Sequence, residues 1–151
     1  RIILTNAERV ERNYFDTHLL APSEFRPLLI EGLQQAKDTH LPEVSIHRQF
    51  RVLVEDHLDG LVGAAVRLAA HPDTSMAISD AVAARPKDQR VVLAVGPEGG
   101  WNRFELDLLA AHGFTNVDIG PRTLRSDTAC VALLALVHDA LRRRCPCDLA
   151  R

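Results

Sequence analysis

The sequence of 151 residues has no apolar run close to the roughly 18 residues that a membrane-spanning helix needs. It also lacks a basic excess. The formal net charge is −2, whereas a domain that holds nucleic acid alone is more often basic. Any affinity for RNA must therefore be local or come from another segment or a partner. Three cysteines, an odd number, argue against a disulfide framework and favour a reducing compartment, so we expect a cytoplasmic protein.

The composition is that of one globular domain, with 46% hydrophobic and 25% charged residues. Apolar segments alternate with helical patterns and no internal repeat is present. This order predicts an α/β fold with a mostly parallel sheet. Strands are predicted at residues 2–4, 43–48, 64–71, 90–96 and 114–120. Helices are predicted at residues 22–37, 49–58, 74–85, 102–113 and 126–144.

Several residues mark where these elements begin and end. Ser23 is predicted as the N-cap of the first long helix. Asn102 is predicted as the N-cap of a later helix, where Glu105 would complete a capping box and Gly113 would end the helix. The segment "RVVLAVG" is a continuous apolar run, which is typical of a buried strand in a parallel sheet.

Three predicted strands end in turn-forming residues, in the segments "AAHPDTS", "AVGPEGG" and "DIGPRTLRS". Ligands of open parallel sheets bind outside the carboxyl ends of the strands. All three loops would lie at that edge, which is therefore the expected ligand site. Two of them are Gly-Pro turns that close a strand and open a helix, and such a pair fits one shared pocket better than two unrelated turns.

The loop at residues 96–100, "GPEGG", does not match the glycine loops that bind phosphate. The sequence has no Gly-Lys pair for a P-loop, and the spacing differs from that of a dinucleotide fingerprint. Glu98 would repel a phosphate, so a neutral or positively charged ligand is favoured. Taken alone, the loop is equally well explained as a simple turn. The doublet Gly99-Gly100 instead indicates a close approach of the backbone to another group.

The stretch "LAVGPEGGWNRFELDLLAAHGF", followed by "VDIGPRTLRSDTACVALLALV", closely resembles the C-terminal half of the RsmE family. Members of that family methylate N3 of a uridine in small-subunit ribosomal RNA. The segment "LLIEGLQQAKDTHLPEV" also resembles the family, and the resemblance covers about residues 1–143. It implies one SPOUT methyltransferase domain over residues 1–151, an α/β fold whose parallel sheet carries a C-terminal trefoil knot. It also implies a homodimer with its active site near the subunit interface, with no membrane and no metal.

The resemblance further implies S-adenosylmethionine as the cofactor. This molecule carries a sulfonium cation and no phosphate, which suits a glycine loop that contains a carboxylate. For His71, a loop role satisfied by neighbouring residues is the commoner alternative. The implied cofactor-binding residues are Ala70, His71, Pro72, Val95, Gly96, Pro97, Gly99, Gly100, Ile119, Gly120, Thr123, Leu124, Arg125, Thr128 and Ala129.

Methyl transfer is an in-line displacement, in which positioning supplies much of the rate. The uracil must leave its stack, and the proton on N3 must be removed or the developing anion stabilised. The resemblance makes Arg122 and Arg125 candidates for holding an RNA phosphate or the uracil oxygens. Their alternative is a structural salt bridge to Asp127 or Glu98. These two carboxylates are in turn candidates for the base or for orienting the arginines.

Two departures from the family pattern bear on RNA binding and catalysis. Asp127 stands where the family usually has Glu, which keeps the charge and shortens its reach by one methylene. The PUA-like β-barrel that precedes the family's methyltransferase domain is absent from this chain, and the chain starts with Arg rather than Met. We therefore expect a piece of a longer protein. Arg9 and Arg12 lie where the family carries basic residues near the RNA, with a solvated face as the alternative.

Other features leave alternatives open. Trp101 is favoured as a core or interface residue over one that stacks on a base. Residues 145–147, Cys-Pro-Cys, are predicted to be a plain tail rather than half of a zinc site. Two other functions are conceivable: another SPOUT activity, such as 2'-O-ribose methylation of tRNA, and a non-catalytic RNA-binding or ribosome-assembly module. The intact cofactor loops argue against the last.

Overall fold

The computed structural model describes residues 1–84, 86, 89–120 and 122–144, apart from the side chains of Arg12 and Arg144. The Cys-Pro-Cys tail lies outside these residues. The described chain is a mixed α/β structure in which every strand pairing is parallel. The strands are β1 (Ile2–Thr5), β2 (Val44–His47), β3 (Ala65–Ala70), β4 (Arg90–Ala94) and β5 (Phe114–Val117).

Helices connect the parallel strands, as the βα alternation of the sequence predicts. A π-helical turn, Leu53–His57, joins the second and third helices, and two 3₁₀ turns, Arg12–Phe15 and His18–Leu20, precede the first. The α-helices are α1 (Pro22–Ala36), α2 (Phe50–Val52), α3 (Leu58–Val62), α4 (Ile78–Ala83), α5 (Arg103–Ala111) and α6 (Ser126–Arg144). In the described part of the chain, no helix is both long and apolar enough to cross a membrane.

The strands form two sheets rather than the single sheet that the sequence predicts. β1 pairs with β2, and β3 lies between β4 and β5. The apolar run of β4 was predicted to be buried, but β4 is an edge strand and its residues 91–94 are only half-buried. The central strand β3 takes that place, because it has a neighbour on each side.

The core lies on both faces of the three-stranded sheet. Since side chains alternate along a strand, Val66 and Leu68 of β3 face one cluster and Ala69 faces the other. The first cluster packs α4 and α6 against the sheet, through residues such as Val82 and Leu133. The second contains Trp101 together with residues of the π-helical turn, α3 and α5. The carboxyl ends of the strands are thus fixed from both sides.

Two of the predicted helix caps have different outcomes. Asn102 caps α5 as predicted: its side chain accepts from the Glu105 backbone N–H, and the Glu105 carboxylate accepts from the Asn102 backbone N–H. The prediction of Ser23 as the N-cap of α1 is wrong. Ala21 holds that position without a side-chain bond, and Pro22 is the first helical residue. Proline's fixed φ suits that position, and proline has no N–H that would need a cap.

Candidate active site

The loops that follow β3, β4 and β5 meet at the carboxyl edge of the sheet and enclose one pocket. Of the predicted cofactor residues, only Arg125 and Thr128 lie outside its lining. Glu98 and Arg122, predicted as catalytic, also line it. The predicted residues along the wall are Ala70, His71, Pro72, Val95, Gly96, Pro97, Glu98, Gly99, Gly100, Ile119, Gly120, Arg122, Thr123, Leu124 and Ala129. Their binding roles stay predictions.

Backbone and side-chain hydrogen bonds tie these loops together. The His71 backbone N–H donates to the carbonyl of Val117 over 3.0 Å, which joins the first loop to the end of β5. The Ser126 hydroxyl donates to the carbonyl of Gly96 over 3.1 Å, which joins the start of α6 to the second loop. The pocket walls are therefore held by bonds that cross between loops, in addition to the sheet.

The glycine loop turns back on itself at its centre. The Gly100 N–H donates to the Pro97 carbonyl over 2.8 Å, and Gly100 has a φ of +69°. Gly120, in the loop after β5, has a φ of +114°. L-residues with side chains rarely adopt such φ values, so both positions favour glycine for conformational reasons.

Gly96 lacks a side chain for a different reason. A Cβ placed there would lie 3.1 Å from the indole ring of Trp101. Trp101 is buried and its ring lies 5.4 Å from that of Phe50, so the core role favoured from the sequence is confirmed. Its indole Nε1 has no hydrogen-bond partner among the described residues, although Trp101 lines the pocket.

Three charged side chains form a cluster at the rim of the pocket. Arg125 Nε lies 3.7 Å from Glu98 Oε1, and Arg125 Nη2 lies 3.6 Å from Asp127 Oδ2. The structure thus brings together the salt-bridge partners that the sequence suggested for this arginine. All three side chains are more than two-thirds exposed, so water screens the pairs and they add little stability. Their exposure also leaves the guanidinium accessible to a ligand.

The Asp127 carboxylate accepts its hydrogen bonds from the next residue of its own helix. Its Oδ1 accepts from the Thr128 backbone N–H over 2.6 Å and from the Thr128 hydroxyl over 3.2 Å. The backbone bond lowers the pKa of Asp127 below its usual value, and the positive charge of Arg125 lowers it further. A carboxylate held in its charged form by such donors is a weak base.

The remaining predicted residues belong to other segments of the chain. His71 is largely buried, with its Nε2 3.6 Å from Asp73 Oδ2. Arg9 lies in the segment after β1, and its guanidinium donates to the carbonyl of Gly99 in the glycine loop. Arg12 begins a 3₁₀ turn, and its side chain is not among those described.

Residues 1–138 match the family of RNA methyltransferase domains. The chain belongs to this RNA methyltransferase family. It is 34% identical over 149 residues to the ribosomal RNA small subunit methyltransferase E of Treponema pallidum, a match that covers 96% of this chain and 55% of that protein. A second relative, the ribosomal RNA small subunit methyltransferase E 1 of Borreliella burgdorferi, is 25% identical over 141 residues, which cover 93% of this chain and 57% of the relative. The predicted resemblance to the RsmE family is confirmed.

Solved structures of two methyltransferases share the fold of this family member. A Legionella pneumophila protein in complex with the bound cofactor S-adenosylmethionine superposes with a TM-score of 0.73 at 25% identity, over 90% of this chain and 53% of that one. The ribosomal RNA small subunit methyltransferase E of Neisseria gonorrhoeae, bound to S-adenosylmethionine, gives a TM-score of 0.71 at 23% identity, over 89% and 52% of the two chains. The present chain spans little more than half the length of the relatives it matches.

Several residues that line the pocket of this methyltransferase-family chain were not predicted from the sequence. The apolar ones, Val117 and Leu133, belong to the core, and sequence periodicity does not show which core residues also face a pocket. Asp118 and Ser126 are polar and lie within the segment "VDIGPRTLRSDTA", which carries the family resemblance. Ser126 could have been found as the polar residue that opens α6, directly before Asp127.

Proposed function

We propose that this chain is the methyltransferase domain of an enzyme that transfers a methyl group from S-adenosylmethionine to N3 of a uridine in small-subunit ribosomal RNA. The observation that carries the proposal is the single pocket formed by the three loops at the carboxyl edge of the sheet. Membership of the RNA methyltransferase family and the S-adenosylmethionine named for two structural neighbours support it.

The residues of the pocket fit this cofactor. Val95, Ile119 and Leu124 offer apolar contact for an adenine ring, and the loops add backbone N–H and carbonyl groups. A Cβ at Gly100 or Gly120 would meet no atom within 4 Å, so these backbone turns leave free space beside them. Glu98 is one of two carboxylates in the lining, together with Asp118, and it suits a cation. When bound, S-adenosylmethionine supplies an activated methyl group on its sulfonium sulfur.

The basic side chains at the rim would hold the RNA. Arg122 lines the pocket and Arg125 stands beside it, so both guanidinium groups can reach a phosphate or a uracil oxygen. Hydrogen bonds to the uracil oxygens would stabilise the negative charge that develops when N3 loses its proton. Arg125 is oriented for this role by the two carboxylates on either side of it.

The two carboxylates divide the remaining work. Asp127 accepts two hydrogen bonds from Thr128 and is held charged, so it serves to orient Arg125 rather than to take a proton. Glu98 lines the pocket, and no hydrogen bond occupies it beyond its long contact with Arg125 among the described residues. We assign the acceptance of the N3 proton to Glu98, directly or through a water.

We further propose that residues 95–129 form the trefoil knot of a SPOUT fold. The bond from Ser126 to the Gly96 carbonyl holds the segment after β5 against the loop after β4, which supports a threaded arrangement of these loops. The isolated parallel bridge between Ala77 and Asp118 holds the start of that segment beside α4.

The proposed assembly is a homodimer through the outer face of α6. Val131 and Leu134 are 71% and 51% exposed, although they are aliphatic residues of the same helix that buries Leu133. Asp127 lies one helical turn before Val131, on the same face. A second copy that covers this face would therefore stand beside the rim of the pocket and complete an active site near the interface.

Two experiments test the proposed function. In the first, isothermal titration calorimetry with S-adenosylmethionine should show binding to the protein, and absence of binding would contradict the cofactor assignment. In the second, ribosomal RNA from a strain lacking the gene is mapped by mass spectrometry. Loss of an N3-methyluridine, restored by the gene, is expected. An intact methyl group at that base, with a 2'-O-methyl lost elsewhere, would refute the N3 assignment and favour another RNA methyltransferase activity.

A further inference from the structure

We infer that residues 7–9, which follow β1, form a strap behind the glycine loop and that Arg9 is a positioning residue for the cofactor site. This inference rests on the proposed function. It gives Arg9 a role other than the RNA contact expected from the sequence. It also assigns a reason for the glycine at position 99.

Gly99 is a glycine because of space rather than conformation. Unlike Gly100, it has no positive φ, so an alanine could adopt its backbone angles. A Cβ at Gly99 would lie 3.0 Å from the Cβ of Arg9 and 3.1 Å from its Cδ. Such contacts are tighter than nine in ten real Cβ contacts, so Arg9 would have to move by a few tenths of an ångström. A side chain at position 99 would therefore point towards the strap, while the backbone of Gly99 lines the pocket on its other side.

Arg9 also bonds directly to this glycine. Its Nη1 donates to the carbonyl of Gly99, a contact between residues 90 positions apart in the chain. The aliphatic stem thus packs against the Gly99 backbone while the guanidinium fixes the adjacent carbonyl. Both contacts hold the peptide between Gly99 and Gly100, at the turn of the glycine loop.

The strap itself is anchored by the two residues that precede Arg9. The backbone N–H of Glu8 donates to Glu105 Oε1 over 2.8 Å, and the other oxygen of that buried carboxylate caps α5 through Asn102. Ala7 is buried in the same cluster as Trp101. Trp101 follows the glycine loop directly, and Glu105 lies in the helix that comes next. The strap therefore contacts the segment that follows the loop, and we expect a shift of Arg9 to move the pocket wall.

A double-mutant cycle tests the contact between the strap and the loop. Gly99→Ala, Arg9→Gly and the pair are compared for affinity towards S-adenosylmethionine by calorimetry. In the wild-type background, Gly99→Ala should weaken binding about three- to tenfold, because the strap must move. In the Arg9→Gly background, Gly99→Ala should reduce the affinity much less, because the Arg9 side-chain atoms that the new Cβ would meet are absent. Equal costs in both backgrounds would overturn the inference, since the added methyl would then be acting on the cofactor itself.

A second variant separates the hydrogen bond from an RNA contact. Arg9→Met keeps an aliphatic stem and removes the guanidinium, and it should weaken S-adenosylmethionine binding about threefold or more. Its affinity for a small-subunit ribosomal RNA transcript, and the salt dependence of that affinity, should stay at the wild-type value. Glu8→Ala is the matched control, because it keeps the backbone N–H that bonds to Glu105.

The outcomes of this second experiment are distinct. Weaker RNA binding with a shallower salt dependence and unchanged cofactor affinity would overturn the inference, because Arg9 would then be a phosphate contact. Unchanged thermal unfolding of Arg9→Met with weaker cofactor binding would support it, since a merely structural residue would lower both. If the wild-type protein binds no S-adenosylmethionine, the proposed function fails, and the role of Arg9 falls with it.

Discussion

The hydroxyl of Ser126 donates a hydrogen bond to the carbonyl of Gly96, and this bond joins the start of α6 to one of the three loops that bound the pocket. Ser126 opens α6, whereas Gly96 follows β4 directly. The position of one wall of the pocket thus depends on where the last helix begins.

We expect Ser126→Ala to weaken binding of S-adenosylmethionine about three- to tenfold, because the Gly96 carbonyl loses its donor and the loop loses a fixed point. Calorimetry measures the change. Thr74→Ala is the matched control, since the Thr74 hydroxyl accepts a bond from Met76 within its own loop and does not line the pocket. Equal effects of the two substitutions on S-adenosylmethionine affinity would show that the bond to Gly96 does not support the pocket.

Arg125→Ala should lower methylation of ribosomal RNA about 100-fold while S-adenosylmethionine still binds, because Arg125 stands at the rim and outside the pocket lining. Single-turnover methylation and calorimetry measure the two quantities. Arg103→Ala serves as the control, since Arg103 is an exposed arginine that pairs with Asp107 on the surface of α5. Unchanged turnover of Arg125→Ala would show that the arginine is only structural.

Asp127 should stabilise the fold at neutral pH and not in strong acid. Its pKa is lowered in the folded state, so its contribution is present above the unfolded-state pKa and is lost as the pH falls through the folded-state pKa. The urea midpoint of wild type should exceed that of Asp127→Ala at pH 7, and the gap should close below about pH 4. A difference in urea midpoint that stays constant down to about pH 2.5 would contradict a stabilising role for the charged Asp127.

Trp101→Phe should be nearly neutral for stability, because phenylalanine keeps the ring contact with Phe50 and removes an indole N–H that lacks a partner among the described residues. Trp101→Ala should cost about 3–5 kcal/mol, because it leaves a cavity in the core beside the pocket. Chemical denaturation of the two variants makes the comparison. A large loss in Trp101→Phe would mean that the N–H has a partner after all, and repeating the measurement with saturating S-adenosylmethionine would show whether the cofactor supplies it.

Leu134→Glu should convert the proposed homodimer to monomers, because it places a charge on the exposed apolar face of α6. Light scattering coupled to size-exclusion chromatography reports the mass. Leu28→Glu is the control, since Leu28 is an even more exposed leucine, on α1. A wild-type protein that is monomeric at all concentrations, or a Leu134→Glu variant that stays dimeric, would contradict the proposed interface.

The site could be predicted from the sequence to a larger extent than the sheet. Turn residues after successive strands mark positions at one edge, so the loops at residues 70–72, 95–100 and 118–125 could be recognised from the sequence. The capping box of Asn102 and Glu105 was also readable, because its two residues are close in sequence. Each of these signals is local.

The features that escaped prediction depend on contacts between distant segments. The half-burial of β4 follows from its place at a sheet edge, which the apolar run "VVLAV" does not encode. The contact of Arg9 with Gly99 spans 90 positions, so no spacing rule could have identified it. The resemblance placed Arg125 among the cofactor residues, with a salt bridge to Asp127 or Glu98 as the alternative. In the structure its side chain lies beside those two carboxylates and outside the pocket lining.

The parallel pairing of every described strand has a consequence for how the chain folds. A parallel pair needs a crossover, so neither sheet can start from a local hairpin, and chain entropy must be lost before the pairings form. The pocket draws on residues from Ala70 to Leu133, so it exists only after β5 and the start of α6 have docked. During synthesis the binding surface is completed only after the start of α6 has been made, and a ligand that binds it stabilises the finished fold by mass action.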